Sequence, residues 1–421
     1  MNGVKFDKKL NGSAICLILL GWLVYTISYL GKVNYSANIT QIIDYYGVTK
    51  AQAGTAPTFF FFAYGIGQVF NGFFCKKYNI KLMVFASLLS SGVINLIIAT
   101  SESFSFIKWL WLINGFALSI LWPSLIRLLS ENLPAKALGK SSVIMGTTVA
   151  SGTLIIYALS SVFAAVATFK LAFFTAAFSM IAVSFVWLLF YRRFVGYAIC
   201  EREAEEVSPA SEKENNKKVT GDIAIYNNKR IFIATIVILC FYAVGVNLIK
   251  DGLTTWVPSI LKEEFSFSDS LSILLTLFLP ILAVFGNAFA LTVHKRIPDY
   301  VNHCASAFLI CAVLICVIIG SLSSGNAIFM LLGLVSVNFL ASSLNSVLTS
   351  IFPMFMRERL NSGMFAGILN GFCYVGSTLS SYGLGAVADG WGWTAVFYTL
   401  LAFCAVVIFV WCLYGLFKKK A

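Results

Sequence analysis

The sequence predicts an all-α membrane protein of twelve transmembrane helices, arranged as two pseudo-symmetric six-helix bundles. Three observations carry this expectation. The 421 residues are 59% hydrophobic and 11% charged, with a mean hydropathy of +0.85. A water-soluble chain this apolar would expose far too much hydrocarbon. The apolar residues gather into runs near the roughly 20 residues that a helix needs to cross a bilayer. A single polar, charged stretch, 192–228, then divides these runs six and six. Barrel strands would alternate over about ten residues; these runs are longer and apolar on all sides.

In chain order the expected spans are roughly 13–44, 52–75, 80–100, 105–132, 139–164 and 167–191, then 229–261, 269–294, 300–322, 325–352, 359–387 and 392–416. This gives a first bundle over 1–191, a cytoplasmic linker over 192–228 and a second bundle over 229–421. The linker is charged and low in aromatic residues, so a flexible segment is expected there. The first apolar run is too long for the core of a cleavable signal peptide.

Lysine and arginine placement orients the chain. With both termini cytoplasmic, the outer loops hold only Lys50, Lys108, Lys170 and Lys262, whereas the linker region between Arg192 and Arg230 alone holds eight basic residues. The formal charge of +12 therefore expresses topology in the cell membrane, and nucleic acid is not expected as a partner. The ten cysteines are scattered without a CxxC pair and suit small apolar packing residues. Two histidines, His294 and His303, lie near one loop, and no phosphate-binding loop, metal cluster or nucleophile constellation occurs. An enzyme is not expected, nor a cofactor or a metal; the lipid bilayer is the expected surrounding and a monomer the expected state.

Three basic residues fall inside spans: Lys32, Arg127 and Lys250. A charge at the bilayer centre costs roughly 2.5–3.5 kcal/mol on insertion scales, so it usually faces a cavity and serves a function. Lys32 follows Lys9 by 23 residues, and Lys250 follows Arg230 by 20. Both spans start inside, so the two lysines reach a similar depth in the first helix of each half. A duplicated architecture with a central site would place them so. Asp251 is adjacent to Lys250, but neighbours on a helix point about 100° apart, which argues against a pair.

Tyr25, Tyr29 and Lys32 are spaced i, i+4, i+7 and share one helical face; Tyr64 and Gln68 form a similar pair on the second span. Phenols and an ammonium on one face make a donor-rich stripe suited to an anion in a wet cavity. Of the carboxylates, only Asp251 is deep in a span. A proton-coupled symporter usually needs such an acid or a histidine, so anion exchange or facilitated anion movement is expected.

Four elements in order resemble the organophosphate:phosphate antiporter family of the major facilitator superfamily, over nearly the whole chain. They are "YLGKVNY" (29–35), "LWPSLIR" (121–127), "LIKDGLTTWVPSILKE" (248–263) and "AGILNGFCYVGS" with "GLGAVADGWGW" (366–393). The resemblance puts Lys32 and Lys250 at the family's two phosphate-binding arginines. It puts Tyr25, Tyr29, Tyr64 and Tyr374 on cavity tyrosines of the glycerol-phosphate exchangers, with Asn247 a further candidate for binding. Trp122 and Arg127 fall on the fourth-helix pattern, and with Gln68 and Asp251 they are expected to be structural or gating residues. Both arginines are lysines here, Gln68 stands for a lysine, Val149 lies near a fifth-helix histidine, and Lys76 stands for the superfamily's loop aspartate. Arginine forks to phosphate in two bonds, whereas lysine is a point charge.

The resemblance implies alternating-access transport of small organic anions, phosphorylated metabolites in exchange for inorganic phosphate. The related anion:cation symporters share "YLxRxN" and carry organic carboxylates, and some relatives are non-transporting sugar-phosphate sensors; both alternatives stay open.

Overall fold

The computed structural model describes residues 13–74, 78–166, 168–206, 228–355 and 362–420. Among these, helices α1 (Ile15–Ala37), α2 (Ile39–Tyr46), α3 (Lys50–Phe74), α4 (Ile80–Thr100), α5 (Phe104–Leu118), α6 (Leu121–Asn132), α7 (Ala135–Gly146), α8 (Thr148–Val166) and α9 (Lys170–Glu206) form the first half. The second half holds α10 (Lys229–Phe265), α11 (Asp269–Thr276), α12 (Phe278–Ala283), α13 (Gly286–His294), α14 (Tyr300–Ser324), α15 (Ala327–Ser346), a π-helical turn (Val347–Ile351), α16 (Phe352–Phe355) and α17 (Ser362–Lys420). Nine helices of the described residues are long and apolar enough to cross a membrane, or ten with the bent pair 269–283 and 288–294 taken as one. In addition, α3 is 25 residues long, and α17 is two helices joined at Gly392, whose φ of 78° breaks the run. The protein is an all-helical membrane protein, and the expected count of twelve is consistent with these elements.

Helix starts follow local chemistry. Asn79, Asn228, Asp299, Asn326 and Ser268 each cap a helix by accepting from backbone N–H groups of the first turn. Such caps are worth about 1 kcal/mol each. Pro57 in α3 and Pro258 in α10 lie well inside their helices. A helix proline frees the carbonyl four residues before it. Here tyrosine hydroxyls take both freed groups: Tyr35 donates to the Ala53 carbonyl (2.8 Å) and Tyr157 to that of Thr254 (3.1 Å).

The polar linker begins later than its composition predicts. Helix α9 runs through position 192 and on to Glu206. The charges in this stretch are anchored: the Glu201 carboxylate accepts from Ser13 Oγ (3.2 Å) and the Ala14 N–H (2.6 Å), while Arg202 donates to the Glu131 carbonyl (2.5 Å). Tyr197 and Ala198 are buried beside them. Composition reads such a stretch as solvated because the partners lie far away in sequence. The remainder of the expected linker, and Lys76, lie outside the described residues.

The halves meet mainly along α3 against α17 and α8 against α11. Small residues allow the approach: a Cβ on Gly54 would run into the Ser381 carbonyl, and one on Gly385 would lie 2.8 Å from the Lys50 carbonyl. Polar contacts between the halves gather toward one end. There Lys50 pairs with Glu263 (3.0 Å), Lys262 with Asp44 (2.6 Å), and the Lys50 and Ala51 N–H groups donate to Asp389. Toward the opposite end, ion pairs such as Lys418 with Asp299 (2.6 Å) and Arg127 with Glu131 (2.8 Å) stay within a half, and Asn370 bonds Gln68 across the halves (3.1 Å).

Candidate functional site

Helix α1 is fixed from behind by buried amides. Asn114 donates to the Gly31 carbonyl (2.9 Å), Asn34 to Asn95 Oδ1 (2.8 Å), and Ser91 to Asn114 Oδ1 (2.5 Å). No room exists for a side chain at Gly31, where a Cβ would meet Met180 and Asn95. This packing turns the opposite face of α1, with Tyr25, Tyr29 and Lys32, toward the second half.

Lys32 is ringed by aromatic faces. Its Nζ lies 4.0 Å from the Tyr64 ring centroid, 5.0 Å from Tyr29, 5.7 Å from Tyr374 and 5.8 Å from Phe60. Among the described residues no carboxylate stands within ion-pair distance of it. Cation–π contacts are worth roughly 0.5–2 kcal/mol, so the rings hold the ammonium in place without neutralising it.

Lys250 is held differently. Its Nζ lies 3.3 Å from Asp251 Oδ1, so the two neighbours do pair, against the expectation from helix geometry. The flexible four-carbon lysine stem spans the 100° offset that backbone spacing implies. Asp251 Oδ2 also accepts from Ser377 Oγ (2.5 Å) and Asn247 Nδ2 (3.2 Å). Asn247 Oδ1 in turn accepts from Asn345 Nδ2 (2.9 Å), and Thr349 bonds Asn345 from the π-helical turn. The Lys250 side chain keeps 30% of its surface and Asp251 15%, so both border an open space despite their depth.

The lysines share neighbours: Tyr29 lies near both, and Asp251 lies near Lys32 as well as Lys250. The aromatic wall continues through Tyr64 and Tyr374 (centroids 4.9 Å apart), Tyr25 and Tyr29 (5.5 Å), and Tyr25 and Trp122 (4.7 Å). Gln68 Nε2 donates to the Tyr64 hydroxyl (3.1 Å), and its Oε1 accepts from Asn370 (3.1 Å), bridging α3 and α17. Thus Tyr25, Tyr29, Lys32, Tyr64, Asn247, Lys250, Asp251 and Tyr374 are brought together, with Gln68 and Trp122 at the margin.

Arg127 stands apart, paired with Glu131 in its own helix, and Val149 is exposed on α8. His294 and His303 stack on each other (6.1 Å) at the far end of the second half. Of two surface hollows of about 430 and 650 Å³, the smaller lies apart, around Tyr46, Gln52 and Glu102, and the larger is an apolar groove between α3 and α17 that Tyr374 also lines. Phe60, Asn345, Asn370 and Ser377 belong to the constellation without having been singled out in the sequence. A polar residue inside an apolar run is the signal for the last three; Phe60 carries none. Among the described residues no cluster of three or more His, Cys, Asp or Glu side chains is placed to hold a metal ion. What the arrangement offers is two ammonium groups, four phenols and several amides around a space between the halves, a set of donors for an anion.

Residues 21–362 match the Major Facilitator Superfamily. A probable hexose phosphate transport protein of Chlamydia trachomatis serovar D is 21% identical over 427 residues, covering 92% of this chain and 88% of that protein. The membrane sensor protein UhpC of Escherichia coli K12 is 24% identical over 100 residues, which make up 24% of this chain and only 23% of that protein. A bacterial homologue of the human lysosomal transporter Spinster, inward-facing and unoccupied, superposes with a TM-score of 0.73 over 97% of this chain and 98% of that chain, at 14% identity. At that identity the likeness concerns the fold alone.

Proposed function

The chain belongs to the Major Facilitator Superfamily, and on that footing we propose that it moves a small organic anion across the cell membrane by alternating access. The observation that carries this reading is the pair Lys32 and Lys250, one on the first helix of each half, with Tyr29 near both and Tyr64 and Tyr374 beside Lys32. The proposed substrates are phosphorylated metabolites exchanged for inorganic phosphate; the name of the Chlamydia relative favours a phosphorylated sugar among them. Both termini are taken as cytoplasmic, which makes the end closed by Lys50, Glu263, Lys262 and Asp44 the outer one. Rocking of 1–191 against 229–421 would break those pairs and expose the site to the other side.

The test is counterflow in vesicles. Protein reconstituted with internal phosphate should take up labelled glycerol phosphate or hexose phosphate, and Lys32→Ala should stop it. Binding without any uptake would instead identify a sensor, as the name of UhpC describes that relative. One observation favours a second reading, proton-coupled movement of an organic carboxylate: Asp251 is an intramembrane acid on the site itself. That reading requires uptake driven by a pH gradient alone.

A further inference from the structure

We propose that Asp251 sets the charge of the binding site, and with it the substrate class: an organic anion that presents one negative charge rather than two. This rests on the anion-carrier reading above. Asp251 is bonded on both oxygens, to Lys250 (3.3 Å) on one side and to Ser377 (2.5 Å) and Asn247 (3.2 Å) on the other. Three donors meet this one carboxylate, which accepts on both of its oxygens. Asn247 is itself held by Asn345, so the carboxylate is anchored in the site. The phenols are neutral at physiological pH. Two ammonium groups and one carboxylate therefore leave the site with a single positive charge, carried by Lys32 in its aromatic ring.

A ligand with one negative charge completes that balance. A second charge would have no partner left in that balance, and stripping its hydration without one weakens binding. Sulfonates, carboxylates, phosphodiesters and singly protonated phosphate monoesters meet the requirement. The titratable groups that act on Asp251 or its partner are Lys32 and Tyr29 from α1 and Cys373 and Tyr374 from α17.

The test compares two ligands of nearly equal shape on the purified full chain by calorimetry: 2-hydroxyethanesulfonate, always singly charged, and 2-hydroxyethyl phosphate, whose second proton leaves near pH 6. At pH 8 the sulfonate should bind about 10-fold more tightly, on the scale of one uncompensated polar desolvation, and Asp251→Asn should reverse the order. On lowering the pH to about 5.5, the affinity of the wild type for the phosphate should rise with its singly charged fraction while that for the sulfonate stays level. This wild-type series decides by itself if Asp251→Asn does not fold. Tighter binding of the doubly charged phosphate at pH 8, an order unmoved by Asp251→Asn, or a parallel rise of both ligands at low pH overturns the proposal. Failure of these and of phosphate, hexuronate and hexose phosphate to bind at all would overturn the anion-carrier reading instead.

Discussion

Lys32 lies on α1, the first helix of one half, and Lys250 on α10, the first helix of the other, yet their surroundings differ in kind. Lys32 rests against four aromatic faces, the nearest 4.0 Å away, whereas Lys250 is tied to Asp251 at 3.3 Å. The Asp251 carboxylate is tied in turn to α17 and, through Asn247, to α15. An aromatic ring leaves a charge available to a ligand; a carboxylate uses it up. The difference teaches that two lysines on the first helix of each half can divide the labour, and on the proposed reading one attracts the anion while the other organises the wall opposite.

The largest expected effect tests that division directly. Lys32→Ala should lower anion affinity by about 100-fold or more, on the scale of one or two charge-assisted hydrogen bonds, with the melting temperature nearly unchanged. The fold survives because removing a charge without a carboxylate partner lowers the insertion cost. Normal transport by Lys32→Ala would break the comparison.

Lys250→Ala should act on stability first. It leaves the Asp251 carboxylate without its cation, and losing one partner of a buried pair costs about 3–5 kcal/mol. The partial exposure of both side chains puts the expected loss at the low end of that range. Thermal unfolding in detergent measures it, and Lys250→Ala with Asp251→Asn should recover most of the loss. If the two alanine substitutions cost the same stability, the two lysines are not differently held.

A smaller effect concerns the anchor. Ser377→Ala removes the shortest bond to Asp251 and should cost about 1–3 kcal/mol of stability, with little change in phosphate affinity.

Lys32→Arg with Lys250→Arg sharpens the contrast in another way. Arginine forks to phosphate in two fixed bonds, so relative affinity should shift toward phosphate over carboxylate and sulfate by about 1–2 kcal/mol. A wild type already as selective as the double variant would place specificity in Tyr25, Tyr29, Tyr64, Asn247 and Tyr374.

The smallest effect lies outside the membrane, where an exposed pair serves as a foil for the buried one. Hydrogen bonds from Tyr45 and Lys170 hold the Glu102 carboxyl below its ordinary value. A depressed acid adds stability above its unfolded-state value, and loses it as the pH falls through the lower folded one. Glu102→Gln should therefore melt slightly earlier than wild type at neutral pH, and the two curves should converge below about pH 4. Equal melting at every pH would show that the exposed pair contributes nothing.

Much of the site was legible because a polar group inside an apolar run is conspicuous. Lys32, Lys250 and the face formed by Tyr25 and Tyr29 are of this kind, and the spacing of 3.6 residues per turn carries Tyr25 and Tyr29 to the same side as Lys32. The Asn345 and Ser377 contributions were obscure because serines and asparagines are scattered through the spans, and sequence does not say which of them meet. Phe60 was invisible among neighbouring phenylalanines, since only its place beside Lys32 distinguishes it.

The sequence by itself determined the class of the protein and the order of its apolar helices, and it marked its two intramembrane lysines as conspicuous, because the bilayer enforces helix, length and the placement of charge. Only the tertiary structure decided the ionic state of the site. Whether Lys250 turns to Asp251 or to the cavity depends on a long flexible side chain and on Ser377 and Asn345, brought from helices some hundred residues away. The same reason accounts for α9, whose charged end is helical because Ser13, Ala14 and Glu131 receive it. Composition records how polar a residue is, and only packing determines which partner satisfies it.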